Sequence, residues 1–158
     1  PYGYRALGDV FVFVFFGLIS TIGSYLLYMK TIDHLVVLPA IALGLFSVGV
    51  LNLNNMRDIK SDTNAGKITL AVKLGLENAK RYHFSLIIGA MIITVIFSIV
   101  YFVEPYNFMY LIAFIPLVRH IKKIKAAKKA DDFDGQLKVL ALTTFLFSLL
   151  QGIGYILF

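Results

Sequence analysis

The sequence contains no cysteine, so neither a disulfide framework nor a thiolate metal site can form. Charge is also scarce, because Asp, Glu, Lys and Arg make up only 15% of the 158 residues, whereas soluble domains carry about 25%. The charges that are present lie in clusters and leave long uncharged segments between them. This distribution argues against a soluble fold.

Apolar residues make up 59% of the chain, and the mean hydropathy is +0.81. A helix needs about 20 apolar residues to cross a bilayer. The pattern predicts an all-α, multi-span transmembrane helical bundle, with the lipid bilayer as its surroundings. The net charge of +6 is explained by basic loops between spans, so nucleic acid is not implied. The five predicted spans cover residues 7–29, 35–53, 84–103, 106–118 and 139–158.

The fourth run, 106–118, is only about half a bilayer long, so it predicts either a span or a re-entrant segment. Basic residues favour a span. Six Lys or Arg lie in 57–81 and seven in 119–138; with Arg5 they share one side if all five runs cross, and Lys30 lies alone on the other. The positive-inside rule then places both loops in the cytoplasm and the C-terminus outside, in an inner or cell membrane.

The polar residues that indicate chemistry lie in 52–75, which reads NLNNMRDIKSDTNAGKITLAVKLG. If the second helix continues through Asp62, then Asn54, Arg57, Asp58 and Asp62 share one helix face. A divalent cation such as Mg²⁺ would relieve the repulsion between the two carboxylates. In the plainer interpretation these aspartates only solvate a loop.

A diphosphate bound through such a metal needs further positive charge, which Arg57 and Lys67 supply. The flexible backbone of Ala65 and Gly66 would let Lys67 fold back toward the carboxylates. The plainer interpretation is again open here, since Lys60 and Lys67 also balance the charge of the aspartates.

The segment NNMRDIKSDTNAGKITLAVKLG resembles the second aspartate-rich motif of the UbiA superfamily of intramembrane aromatic prenyltransferases. It is most similar to the branch that prenylates 1,4-dihydroxy-2-naphthoate, whose loop reads NNxRDxxxDxxAGKxTLxxxLG. The resemblance implies a Mg²⁺ cofactor and a polyprenyl diphosphate substrate. The implied roles are metal binding by Asp58 and Asp62, charge stabilisation of the diphosphate by Lys67 and Arg57, and substrate binding by Asn54 and Asn55.

The opening PYGYRALGDVFVFVFFG is similar to a second segment of that branch, commonly YRGLGE followed by a Phe-rich span. Asp9 stands where the branch usually has Glu. We expect Arg5 to meet the carboxylate of an aromatic acid acceptor and Asp9 to meet its hydroxyl proton. The plainer interpretation is interfacial anchoring by Arg5 and helix capping by Asp9.

The superfamily fold has nine transmembrane helices and two aspartate-rich motifs. The resemblance places 1–158 on helices five to nine, the C-terminal half of a single domain without the first motif, NDxxDxxxD. The sequence begins without an initiator Met, so we expect it to start within a longer protein and to be inactive alone. The implied function of the complete enzyme is Mg²⁺-dependent polyprenyl transfer to dihydroxynaphthoate in menaquinone synthesis, with loss of the ring carboxylate.

Alternatives remain at this stage. The acceptor could be another aromatic acid such as 4-hydroxybenzoate, or the chain could be a non-enzymatic scaffold or a transporter domain. A transporter would place ionisable groups near the bilayer midplane. The three histidines, His34, His83 and His120, have no ligand spacing and are expected to be single interfacial side chains, so that His83→Ala should change turnover little.

Overall fold

The computed structural model describes residues 6–156, and every regular element in this part of the chain is helical. This confirms the all-α fold class. Two short 3₁₀ turns, His34–Val36 and Pro105–Phe108, lie between helices. The helices are α1 Gly8–Met29, α2 Val37–Arg57, α3 Ile59–Asn64, α4 Leu70–Val100, α5 Leu111–Ala126 and α6 Asp131–Ile156.

Among the described residues, α1, α2, α4 and α6 are long and apolar enough to cross a membrane. The remaining long helix, α5, has 16 residues, fewer than the about 20 that a span requires. It contains Pro116 and runs beyond the fourth predicted apolar run into basic residues. That α5 crosses the bilayer therefore stays a prediction.

The helix α6 starts at Asp131, well before the predicted fifth span, because acidic residues stabilise its first turn. A carboxylate near a helix N-terminus interacts favourably with the helix dipole and with unpaired backbone N–H groups. The Asp132 carboxylate accepts hydrogen bonds from the backbone N–H groups of Lys128 and Lys129, at 2.8 and 2.9 Å. The last span thus has an N-terminal extension that hydropathy alone does not predict.

The helix α4 likewise starts before its apolar run. Thr69 caps it by accepting a hydrogen bond from the Val72 N–H at 3.2 Å. Gly75 then interrupts the helix with a φ of 71°, a backbone conformation that glycine adopts without a steric penalty. The long membrane part of α4 follows this interruption.

The core lies where α2, α4 and α6 meet. Fully or almost fully buried side chains from these helices form it, among them Phe46, Ile87, Leu140 and Phe147, and α5 adds Leu117 and Ile124. The rings of Phe46 and Phe147 pack edge to face with their centroids 4.9 Å apart. This packing fixes the end of α2, and with it the segment that follows.

The peripheral helix α1 packs on α2 through glycines. A Cβ atom on Gly17 would lie 2.5 Å from the Gly44 Cα and 2.9 Å from the Ala40 carbonyl oxygen, so no larger residue fits there. The backbone around Gly17 is a π-helical segment, Phe13–Ile19. Apart from this contact strip α1 is poorly buried, with Phe15 and Phe16 more than half exposed.

Candidate functional site

The helix α2 ends at Arg57, and the residue after it interrupts the helical backbone. Asp58 has φ −93° and ψ 7°, and the chain resumes as the short helix α3. The hydrogen bond from the Asp62 N–H to the Asp58 carbonyl, 2.8 Å long, continues the turn across this point. The expected uninterrupted helix through Asp62 is therefore wrong, and its polar residues form two separate clusters.

The first cluster joins Asn54, Arg57 and Asp58. The Arg57 guanidinium donates to the Asp58 carboxylate from Nε at 2.7 Å and from Nη2 at 3.0 Å. Nη2 also donates to the Asn54 side-chain oxygen at 2.9 Å, and the Asn54 amide donates to Asp58 at 3.3 Å. The Arg57 guanidinium lowers the pKa of Asp58 below its ordinary value. Asp58 is therefore a carboxylate at neutral pH.

The second cluster joins Asp62 and Lys67. The Lys67 ammonium donates to the two Asp62 carboxylate oxygens at 3.1 and 3.2 Å. Gly66, with a φ of 67°, makes the turn that brings Lys67 back, and the Lys67 N–H donates to the Asp62 carbonyl at 2.9 Å. The fold-back predicted for Ala65 and Gly66 is thus observed. Asp62 is 8% exposed, so this pair is better shielded from solvent than the first.

A small cavity lies behind these clusters. It measures about 80 Å³, and Asp9, Asn55 and Lys67 contribute its polar lining together with Thr69. Asp9 comes from α1 and Asn55 from α2, and both are buried. The structure therefore brings together three residues that the sequence placed in two distant segments. Arg5, the other residue expected at this end of α1, lies outside the described residues.

An apolar groove of about 450 Å³ runs between α1, α2 and α6. Asn54 lies at one end of the groove and also belongs to the cluster around Asp58. The groove therefore ends at the polar segment. Its lining is Val12, Phe16, Ser47, Val50, Leu51, Asn54, Leu137, Ala141 and Thr144.

The donor atoms of this segment fit a hard divalent cation in part. Magnesium usually takes one or two protein carboxylates and completes its shell with water and phosphate oxygens, and Asp58 and Asp62 supply two carboxylates. The described residues contain no group of three or more acidic or histidine side chains suited to a metal. The segment thus suits a metal shared with a phosphorylated ligand better than a closed protein site.

A second polar group was missed from the sequence. His83 on α4 and His120 on α5 are fully buried, with their Nε2 atoms 2.9 Å apart. The Nδ1 atom of His120 lies 3.1 Å from the Oε1 atom of buried Gln136. With Gln136 in this orientation His120 donates from Nδ1, so the neutral ring accepts at Nε2 from the Nε2–H of His83.

The expectation that these histidines are single interfacial side chains is therefore wrong. No local spacing links His83 to His120, because 37 residues separate them. The one available signal was their position beside apolar residues, where an unpaired imidazole is costly. In the structure the pair joins α4 to α5, and Gln136 extends the contact to α6.

Taken together, long apolar helices and a polar segment with two paired carboxylates at one end of the bundle define an integral, multi-span membrane protein. The sequence profile of the UbiA prenyltransferase family matches residues 1–149, and the chain belongs to that family.

Curated relatives agree with this assignment. The chain is 35% identical over 157 residues to 1,4-dihydroxy-2-naphthoate octaprenyltransferase of Haemophilus influenzae, covering 99% of this chain and 51% of that protein. It is 42% identical over 124 residues to the Escherichia coli protein of the same name, covering 78% and 40%. UbiA prenyltransferase domain-containing protein 1 of Dictyostelium discoideum is 33% identical over 154 residues, covering 98% and 45%.

The chain thus spans about half the length of the curated relatives it matches. No solved structure gave a significant match.

Proposed function

We propose that the complete protein transfers a polyprenyl group from polyprenyl diphosphate to 1,4-dihydroxy-2-naphthoate, a step of menaquinone synthesis. Membership of the UbiA family and the names of the bacterial relatives support this. The structural observation that carries the proposal is the position of Asn54, which lines the apolar groove and also bonds to Asp58. A long apolar chain and its charged end group can therefore bind side by side.

The donor substrate binds across this boundary. Its prenyl chain occupies the groove, where burial of apolar surface contributes roughly 25 cal/mol per Å². Its diphosphate meets Arg57 and Lys67, whose cations make charge-assisted hydrogen bonds to phosphate oxygens. Both cations are bonded to aspartates in the structure, at 2.7 to 3.2 Å. The Arg57–Asp58 pair is partly exposed, so exchanging Asp58 for a phosphate costs little.

Asp58 and Asp62 are the residues of this chain that would hold Mg²⁺. When bound, the metal neutralises charge that develops on the leaving diphosphate. Arg57 and Lys67 stabilise the same charge from the protein side. Departure of the diphosphate, with the electron pair of the broken C–O bond, leaves an electrophilic allylic carbon. The electron-rich ring of the acceptor attacks this carbon, and the ring carboxylate is then lost as carbon dioxide, which restores the aromatic ring.

The acceptor approaches from the α1 side of the segment. Asn55 and Asp9 line the small cavity there, and we expect Arg5, which lies outside the described residues, to bind the acceptor carboxylate. The basic residues of 57–81 and 119–138 support a cytoplasmic position for this end of the bundle, by the positive-inside rule.

The deciding experiment uses the complete protein in lipid nanodiscs. It is incubated with a labelled polyprenyl diphosphate and either dihydroxynaphthoate or 4-hydroxybenzoate, with Mg²⁺ or with a chelator. We expect prenylated product with dihydroxynaphthoate and Mg²⁺ only. Equal or better transfer to 4-hydroxybenzoate would refute the assigned acceptor while keeping the reaction class, and no transfer to either would refute the proposed function.

A further inference from the structure

The Asp9 carboxylate is the one charged group of α1 that faces the protein interior. Asp9 is 7% exposed, and its Oδ2 atom has no hydrogen-bond partner. The hydroxyl of Tyr82 lies near this carboxylate. A buried carboxylate oxygen without a donor is costly. The position therefore calls for a hydrogen-bond donor that is not part of the described chain.

Tyr82 reaches Asp9 from a different helix. It lies on α4 beyond the interruption at Gly75, and it is half-buried. A charge-assisted hydrogen bond from a phenol to a carboxylate is short and directional. The nearby phenol can therefore hold the Asp9 carboxylate in place, while Oδ2, which has no partner, stays available to another donor. The tyrosine therefore acts on the site through Asp9.

The cavity beside Asp9 limits what that donor can be. Its volume is about 80 Å³, about half that of a cavity of about 150 Å³ that binds benzene. A whole aromatic ring therefore does not fit, but a hydroxyl group at the edge of a ring does. A diphosphate is excluded at Oδ2 because two acceptor oxygens repel each other. The Lys67 ammonium lines the same cavity but is bonded to both Asp62 oxygens.

We propose that Oδ2 of Asp9 accepts a hydrogen bond from a ring hydroxyl of the aromatic acceptor, and that Tyr82 is the positioning residue that orients this carboxylate. The inference rests on the proposed function. A hydrogen bond from the hydroxyl to a carboxylate raises the electron density of the ring, which favours attack on the allylic carbon. No proton transfer is required. The site selects acceptors that carry a free hydroxyl on the ring edge that enters the cavity beside Asp9.

The test uses the complete protein. It compares dihydroxynaphthoate with its two mono-O-methyl ethers, each of which lacks one hydroxyl donor. The wild-type protein should prefer the free hydroxyl compound to one of the ethers by about tenfold or more in kcat/KM. Asp9→Asn and Tyr82→Phe should reduce that preference and raise KM for the acceptor about tenfold. KM for the polyprenyl diphosphate should stay unchanged.

Matched variants separate positioning from folding. Tyr28→Phe removes a hydroxyl from a side chain that is 86% exposed and should have no effect. Asp9→Glu keeps the carboxylate and should retain the preference for the free hydroxyl. If Asp9→Asn does not fold, Tyr82→Phe alone decides, since it removes a single atom.

Three results would overturn the inference. An unchanged preference in Tyr82→Phe and Asp9→Asn, with normal transfer by the wild type, would refute the hydroxyl site and leave the proposed function intact. An equal rise in KM for both substrates would assign Tyr82 a purely structural role. Absence of transfer by the wild-type protein to any aromatic acid would refute the function and the site together.

Discussion

The cluster around Asp58 and the buried pair of His83 and His120 differ in where their partners come from. Asn54 and Arg57 lie within four residues of Asp58, and this cluster is partly exposed. The two histidines are 37 residues apart in the sequence and fully buried. The first region is assembled mainly by a local turn, with one long-range contact from Arg57 to the Asp134 carboxylate of α6 at 3.5 Å. The second is assembled by the packing of three helices.

This difference has an energetic counterpart. Partly exposed ion pairs contribute about 0–1 kcal/mol, so a ligand can replace their partners at small cost. Loss of one partner in a buried hydrogen bond leaves an unpaired group, which costs about 1–3 kcal/mol. The first region is therefore suited to exchange partners with a ligand, and the second to hold helices in place.

The largest expected effect is an all-or-none difference in cysteine labelling, which reports the side of the membrane on which each loop lies. We expect both regions to lie toward the cytoplasm, because basic residues surround them. Single cysteines at Lys60 and Lys125, in a complete protein otherwise free of cysteine, should be protected from an impermeant maleimide added to intact cells. A cysteine at Thr31, beyond the other end of α1, should react. External labelling at Lys125 would contradict the assigned topology and the crossing by α5.

The next effect is on turnover. Replacing Asp58 or Asp62 by Asn keeps the shape but removes the charge that a metal needs. We expect kcat of the complete enzyme to fall by about 100-fold or more, as when one charge-stabilising group is removed. Asp131→Asn, an exposed carboxylate of α6, is the matched control and should leave kcat unchanged. Near-normal turnover in both site variants would rule out the assigned roles.

The third effect is on stability. His120→Ala leaves His83 and Gln136 unpaired and opens a void, so the free energy of unfolding should fall by about 2–4 kcal/mol. Unfolding in detergent micelles measures this. His34→Ala, whose side chain is 83% exposed, should change stability by less than about 0.5 kcal/mol.

A double replacement sharpens the same comparison. His83→Leu with His120→Leu removes both polar partners, so it should lower the free energy of unfolding by less than His120→Ala does. The sequence led us to expect little change in turnover from His83→Ala, but the structure leads us to expect a loss of stability in that variant. Wild-type stability in His120→Ala would show that the pair does not hold the helices.

The smallest effect is the pH dependence of the Asp58 cluster. Arg57 lowers the pKa of Asp58 in the folded protein, so the carboxylate contributes stability above its unfolded pKa of about 3.9. That contribution is lost as the pH falls through the lower folded pKa. Because the pair is partly exposed, it should amount to less than about 1 kcal/mol. The difference in Tm between the wild type and Asp58→Asn should shrink from pH 6 to pH 3; a constant difference would contradict this.

The fold and the loop were largely predictable because their signals are local. Apolar runs of bilayer length predicted the helices, and Gly66 predicted the turn that returns Lys67 to Asp62. Two boundaries were missed for local reasons too. Side-chain caps at Thr69 and Asp132 extend α4 and α6 into polar sequence that a hydropathy reading assigns to loops.

Contacts between helices were not predictable in the same way. The proximity of Tyr82 to Asp9 and the pair formed by His83 and His120 depend on how the helices are rotated and spaced. A single sequence contains the periodicity of each helix but not its rotation against a neighbour. The interruption at Asp58 was missed because each of its neighbours is compatible with a continuing helix.

The contact between Gly17 and Gly44 determines the width of the apolar groove. The helix α1 lies against α2 at backbone distance there, while Val12 and Phe16 of α1 form one wall of the groove nearby. A methyl group added at Gly17 would meet the Gly44 backbone at 2.5 Å and push the helices apart. The thickness of the prenyl chain that fits the groove therefore depends on Gly17 and Gly44, which do not line it.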